Sequence, residues 1–448
     1  MSEMSISFHG ATNMVTGSCS LVSCGAEKIL IDCGFIQGGD QDEQRNHDPF
    51  DFSPTDLSAV VLTHGHLDHT GRLPMLVEAG FRGPIHTHSA SAALAQIVWR
   101  DTVRLSARDE HPLYDESAIQ KTIPLFVPQP YGEEFRIGEA KLRLCDAGHI
   151  LGSAHVLIEH AGRRLVMSGD VGALDTPIIR DPTFSWDVSV DSVVIESTYG
   201  NRLHKGRAET IEEFREIIEQ AISTKGVVLI PAFAIGRTQE LLFYFNRLIT
   251  QHQLPSIPVM LDSPMARQVT QVYRAHRECY DDETWGLIEH GESPLAFPGL
   301  REVNTWEESA TLGQVNGPLV IIAGSGMCTG GRIVRHLITF LNRASTTVLF
   351  VGWQGTGTLG RRLVDGERLV KIQGQEVPVR ARIATLNGFS AHADRDGLVH
   401  WAQCIHGQPH QWLINHGEPA ASVGLASALT QAGLSGARVA KAAYSYEI

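Results

Sequence analysis

The chain is poor in the patterns that mark several protein classes. Its seven cysteines stand singly, with no Cys-x-x-Cys pair. That argues against a disulfide framework or a thiolate metal knuckle, and for reduced thiols and a cytoplasmic location. No apolar run approaches the roughly 18 residues of a membrane span, so no membrane partner is expected. The first ten residues hold no Lys or Arg and no long apolar block, so a secretory signal is not expected. Repeats and low-complexity tracts are lacking too. With 43% hydrophobic and 19% charged residues the composition is that of a globular protein, and 448 residues set a prior of two or three domains.

Cations are also in the minority: 37 Lys+Arg stand against 50 Asp+Glu, a net charge of −13. Taken whole, that disfavours a polyanionic partner. The distribution is uneven, however. Residues 206–385 hold 18 basic and 19 acidic residues, and residues 332–382 hold 9 basic and 3 acidic ones. A locally basic stretch can bind phosphates despite an acidic total, because the local field decides.

What the chain has in excess is histidine, 21 in all. Several follow predicted strands. Residues 4–34 alternate apolar and polar between glycines and read as meandering strands. Residues 59–63, Ala-Val-Val-Leu-Thr, read as a buried strand, and 90–120 as helical. Strands are also expected at 141–144, 154–159, 164–167 and 192–195. Beyond 201 the pattern changes to strand–loop–helix units: strands at 227–230, 259–261, 319–323 and 347–351, and helices at 209–223, 238–249, 263–276, 332–341 and 359–363. Alternating β and α implies a parallel, doubly wound sheet with its ligand edge at the strand C-termini.

The strongest chemical signal is His64-Gly65-His66-Leu67-Asp68-His69, directly after the 59–63 strand. Three imidazoles and a carboxylate within six residues can reach two adjacent metal ions, and this donor type without thiolate suits zinc. This HxHxDH motif resembles that of the metallo-β-lactamase superfamily. His149 in Gly-His-Ile-Leu-Gly-Ser and Asp170 in Ser-Gly-Asp resemble its later motifs. Glu196-Ser197-Thr198-Tyr199, Ser390-Ala391-His392-Ala393-Asp394 and His416-Gly417-Glu418 resemble motifs A, B and C of the β-CASP group. That group includes the mRNA 3′-end processing endonuclease and, more distantly, ribonuclease J.

The resemblance implies an α/β architecture. An αββα metallo-β-lactamase fold would occupy 1–205 and 386–448, with an inserted doubly wound β-CASP domain at 206–385. It implies two zinc ions per chain: one on His64, His66 and His149, the second on Asp68, His69 and His416, with Asp170 bridging. Asp68, His392 and Glu196 would be catalytic, His392 as the general acid oriented by Glu196. The implied activity is hydrolysis of single-stranded RNA through a metal-bridging hydroxide, leaving a 5′-phosphate and a 3′-hydroxyl. The strand would lie in a cleft between the two domains. Alternatives are a scaffold subunit of an RNA-processing complex, or hydrolysis of other phosphodiesters including DNA. A homodimer is compatible with either.

Phosphate or RNA contacts are expected at Ser325, Gly326, Arg237, Arg332, Ser390 and Tyr199. His9, His47, His86, His88, His111, His400, His406 and His410 lack ligand-like context and are read as structural. Cys145 and Cys328 are read as small buried thiols.

Overall fold

A computed structural model describes residues 4–107, 111–355 and 357–448. The chain divides into two compact units, Met1–Leu203 with His392–Ile448, and His204–Ala391.

The first unit contains two seven-stranded mixed sheets. One runs in the order Ser445–Glu447, Met4–Phe8, Ser20–Cys24, Glu27–Ile31, Ala59–Val61, Ile85–Thr87 and Phe126–Pro128. The other runs Ala437–Val439, Gln411–Ile414, Ser192–Ile195, Arg163–Met167, Ala154–His160, Ala140–Asp146 and Glu134–Ile137. Strict alternation explains how they pack. Met4, Ile6 and Phe8 are buried, while Ser5 and Ser7 between them are not. With Val22, Ile29, Ile31 and Val61 they meet Leu142, Leu144, Val156, Ile158, Leu165 and Leu413 of the other sheet. A one-residue slip would turn this whole set to the opposite face.

Helices cover the two outer faces. Leu30, Val60, Leu62 and Ile85 pack against Leu73, Leu76, Ala95, Trp99 and Ile119, which belong to helices Leu73–Glu78, Ser89–Leu105 and Glu116–Thr122. Val193, Ile195, Trp412 and Ile414 pack against Leu398, Trp401, Leu425 and Leu429 from helices Arg395–Gln403 and Pro419–Gln431. Strands Ala59–Val61 and Ser192–Ile195 are therefore buried on both sides and read as unbroken apolar runs.

The second unit is built on a six-stranded sheet ordered Leu300–Glu302, Val259–Leu261, Leu319–Ala323, Val227–Pro231, Thr346–Phe350 and Arg382–Thr385. Every pairing in it is parallel. Helix Arg207–Ser223 leads into the sheet, and crossover helices include Arg237–Thr250, Pro264–Ala275 and Gly331–Phe340. The mixed α/β class with a parallel sheet agrees with the sequence reading.

Some elements differ. The helical region expected at 90–120 is two helices, Ser89–Leu105 and Glu116–Thr122. Asp115 caps the second by accepting from the Ala118 N–H, which starts a helix afresh. Helices Asp282–Glu289, Trp306–Thr311 and Arg395–Gln403 and the hairpin Leu369–Ile372/Gln375–Pro378 were not anticipated. They are short, and three helices start on a side-chain cap, from Asp281, Thr305 and Asp394, rather than on a long apolar period.

Candidate metal centre

The donors gather where strand ends of both sandwich sheets meet. After Ala59–Val61 the chain passes Leu62 and Thr63 and delivers His64 and His66, and His66 is the N-cap of the short helix Leu67–Thr70. That helix carries Asp68 and His69. Its backbone lies hard against Gly34, where a Cβ would come within 1.6 Å of the Asp68 carbonyl oxygen. His149 follows strand Ala140–Asp146, and Asp170 follows Arg163–Met167. Gly148, at φ +60°, turns the chain into His149, a conformation costly for other residues. His416 follows Gln411–Ile414 and itself adopts φ +52°, with its N–H held by the Ala11 carbonyl.

These positions bring ligand atoms together in two groups, His64–His66–His149–Asp170 and Asp68–His69–His416. In the first, His66 Nδ1 lies 3.1 Å from His64 Nε2 and 3.2 Å from His149 Nε2. Asp170 Oδ2 is 3.5 Å from both His64 and His149. In the second, His69 Nε2 is 3.1 Å from His416 Nε2, which is 3.6 Å from Asp68 Oδ2. Asp170 Oδ1 faces this group, 3.4 Å from His69 Nε2 and 3.6 Å from His416 Nδ1. One carboxylate thus presents one oxygen to each group. That Oδ1 is buried and accepts no hydrogen bond.

The donor set fits metal ions. Ligands about 2.0–2.1 Å from a tetrahedral zinc lie about 3.3 Å from one another, the spacing found within both groups. A buried carboxylate oxygen with no partner is costly unless a cation faces it. Burial, the largest influence on both, pushes His64 down and His66 down to about 4, which keeps them in the neutral, ligand form. Burial opposes ionisation of Asp170 and Asp68, but neighbouring imidazoles outweigh it. His416 leads that effect at both, holding Asp170 well below the carboxylate range and Asp68 at about 2.

A second layer orients the donors. Asp32, absent from the sequence reading, is 1% exposed and accepts from His69 Nδ1 at 2.7 Å, which turns Nε2 toward the cluster. Asp32 also accepts from the Thr63 N–H at 2.8 Å and from the hydroxyls of Thr63 and Ser18. It closes strand Glu27–Ile31 at φ +62° in the run Ile-Asp-Cys-Gly. A carboxylate at a strand's end inside an apolar stretch was the available signal. His155 is a second unforeseen residue. Its Nδ1 donates to the Ser168 carbonyl at 2.5 Å and its Nε2 accepts from the Trp401 indole at 3.0 Å.

Glu196 and His392 stand beside Asp170. Glu196 is 2% exposed; its Oε1 accepts from His392 Nδ1 at 3.1 Å and from the Val171 N–H at 2.8 Å. Its Oε2 accepts from the Thr198 N–H at 3.1 Å. Burial alone would lower the His392 pKa. The charge and hydrogen bond of Glu196, then Asp170, outweigh burial and raise it to about 9. An imidazolium held at neutral pH beside two carboxylates is a proton donor in waiting. The Tyr199 ring lies 6.1 Å from the His392 ring.

The other expected phosphate contacts lie in the second unit. Ser325 Oγ accepts from the Thr329 and Gly330 N–H groups at 3.0 and 3.2 Å, within the turn that leads to helix Gly331–Phe340. Gly326 is in the same turn, and Ser390 sits at the unit's end. Arg237 pairs with Glu240 and Arg332 with Asp262, so both guanidiniums are engaged by internal carboxylates. The histidines read as structural include His86, bonded to Gln129, His88, which caps helix Ser89–Leu105, and His9, bonded to Asp51.

Residues 13–220 match the metallo-beta-lactamase superfamily, 238–363 the Beta-Casp domain, and 376–439 the Zn-dependent metallo-hydrolase RNA specificity domain. Ribonuclease TTHA0252 of Thermus thermophilus is 41% identical over 91% of this chain and 92% of its own length. Transcription termination factor FttA of Methanosarcina mazei is 30% identical over 94% and 68%. An RNase J-like protein of Methanocaldococcus jannaschii is 30% identical over 92% of each chain. A crystal structure of a protein of unknown function from Enterococcus faecalis shares the fold at 12% identity, with a TM-score of 0.58 over 99% of this chain and 100% of the other. The chain therefore belongs to the β-CASP family of metallo-β-lactamase-superfamily hydrolases.

Proposed function

We propose that the protein is a zinc-dependent ribonuclease acting on single-stranded RNA. The observation that carries this reading is Asp170, whose two oxygens face two groups of buried histidines while His392 and Glu196 stand alongside. His64, His66 and His149 would hold one zinc and Asp68, His69 and His416 a second, with Asp170 placed between the two groups. Zinc in such a site supplies Lewis-acid stabilisation of charge at phosphate and a nucleophile from water at neutral pH.

The chain's own groups do the rest. Glu196, fixed by the Val171 and Thr198 N–H groups, holds the His392 ring through Nδ1 and keeps it protonated. His392 gives its other proton, from Nε2, to the departing 3′-oxygen, so the products are a 3′-hydroxyl and a 5′-phosphate. Asp32 keeps the His69 tautomer that leaves Nε2 as a donor atom. The ribonuclease names among the relatives and the match of 376–439 to an RNA specificity domain support RNA as substrate.

The test is kcat/KM on matched single-stranded RNA and DNA at one ionic strength, with zinc per chain measured on the same preparation. RNA cleavage that disappears on chelation, with 5′-phosphate products, is expected. Equal or faster DNA cleavage overturns the RNA assignment. Full activity without zinc overturns the metal reading.

A further inference from the structure

Among the described residues the second unit carries four large exposed rings that the metal chemistry does not use, and two of them, Phe233 at 47% and Trp353 at 38% exposure, stand on neighbouring loops. Isolated exposed aromatics are ordinary. These two are set apart by where they stand and how they are held.

Strands Leu319–Ala323, Val227–Pro231 and Thr346–Phe350 are adjacent in that order, and all are parallel. The loops at their C-terminal ends carry Gly326 and Met327, Phe233, and Trp353 respectively. This edge is where open parallel sheets bind ligands. Phe233 lies flush on a bare backbone: a Cβ at Gly326 would meet its ring atoms at 2.9, 3.0 and 3.2 Å. The Phe233 carbonyl accepts from the Thr238 hydroxyl and N–H at the start of helix Arg237–Thr250, which fixes the loop. A Cβ at Gly355 would come 3.3 Å from the Trp353 ring and 3.4 Å from the Met327 sulfur. The Gln354 amide ties the loops together by donating to the carbonyls of Gly326, Gly352 and Trp353. The Gly360 N–H adds a bond to the Met327 carbonyl.

Each ring is thus fixed from one side and offers area on the other. An apolar ring held in water costs little entropy to engage and has use for a flat, π-faced partner. The sequence around one of the rings indicates which: Trp353 lies within residues 332–382, which carry nine basic and three acidic side chains. An exposed aromatic within a net basic stretch of chain is the pattern of single-stranded nucleic-acid platforms, where bases stack and cations follow the backbone. An apolar protein segment would gain nothing from that charge.

We propose that Phe233 and Trp353 are base-stacking residues for single-stranded RNA, binding bases without regard to their identity. The proposal rests on the RNA reading given above. It is tested with the zinc-loaded protein and Phe233→Ala, Trp353→Ala and the double variant. Binding is measured to a short phosphorothioate oligoribonucleotide and to an abasic ribose-phosphate strand of equal length, at one salt concentration. Each substitution is expected to weaken binding of the base-bearing strand about 5- to 100-fold, and the double variant to bind both strands alike. Trp353→Phe is expected to restore most of the loss, which separates stacking from a folding defect. Trp353 fluorescence is expected to be quenched by the base-bearing strand only. If the wild type binds and cleaves RNA but the alanine variants bind the base-bearing strand as tightly as the wild type, the stacking assignment is wrong and the RNA reading stands. If the wild type neither binds nor cleaves RNA, both fail.

Discussion

Asp32 and Glu196 do related work on different rings: each is a buried carboxylate that accepts a hydrogen bond from a histidine's Nδ1 and so fixes where its Nε2 points. Their loss has different signatures. Asp32→Asn keeps the shape but weakens the acceptor for His69 Nδ1, so zinc affinity is expected to fall about 10- to 100-fold. Competition with a chelator of known affinity measures it, and an unchanged affinity would remove Asp32 from the site's support. His392→Ala is expected to keep its zinc and lose about 10²- to 10⁴-fold in kcat. Loss of zinc along with activity would make His392 a ligand and the acid assignment wrong. For Glu196→Gln the sign follows from what raises the His392 pKa. Burial lowers it, and the Glu196 charge is the foremost influence in the other direction. Removing that charge lets the imidazolium lose its proton at lower pH. The alkaline limb of the kcat/KM profile should therefore move to lower pH; a limb that stays or rises would overturn the pairing.

Among the elements, the link between strand Arg163–Met167 and helix Arg395–Gln403 runs through His155. Its ring is satisfied only when neutral, because Nδ1 donates to Ser168 and Nε2 accepts from Trp401. Burial, foremost, lowers its pKa to about 4, against 6.5 for a free imidazole. A depressed histidine pKa stabilises the fold above about pH 6.5. That stability is lost as pH falls from 6.5 toward 4, because the unfolded chain takes up the proton and the folded one does not. The full effect is about 3 kcal/mol. Wild type should therefore lose more stability between pH 7.5 and 5 than His155→Gln does, read from urea midpoints. Equal losses in the two proteins would show that other groups set the acid sensitivity. Trp401 is fully buried in the same place, and Trp401→Ala should cost about 3–5 kcal/mol.

For the whole molecule, the division of labour is uneven. All seven donors, Glu196 and His392 lie in the unit formed by Met1–Leu203 and His392–Ile448. Zinc bound only by the folded state stabilises that unit by about 4 kcal/mol at a free concentration a thousandfold above its Kd. Chelation should then make the first unit the earlier to open. Limited proteolysis of the chelated protein near its melting temperature is expected to cut first within 4–203 or 392–448. First cuts inside 204–391 would overturn this.

The sequence by itself determined the longer elements and the positions of the ligand-type side chains. Apolar runs such as 59–63 and 192–195 had to be buried strands, and His64 to His69 could reach a common point because six residues span one tight loop. It also placed His149 and Asp170 after strands, where loops leave a sheet. What it could not settle was geometry carried by distant residues. Asp32 bonds His69 across 37 positions, and His69 meets His416 across 347, so nothing local in the sequence announces either contact. Arg237 and Arg332 had the right charge for phosphate, but the fold supplied Glu240 and Asp262 to engage them. His155 differs from the clustered histidines in what surrounds it: its two ring nitrogens meet the Ser168 carbonyl and the Trp401 indole instead of other ligand-type atoms. Spacing along a chain fixes what neighbours can do. Which side of Asp170 faces which imidazole, and which nitrogen bears a proton, is decided only when strands from opposite ends of the sequence pack together.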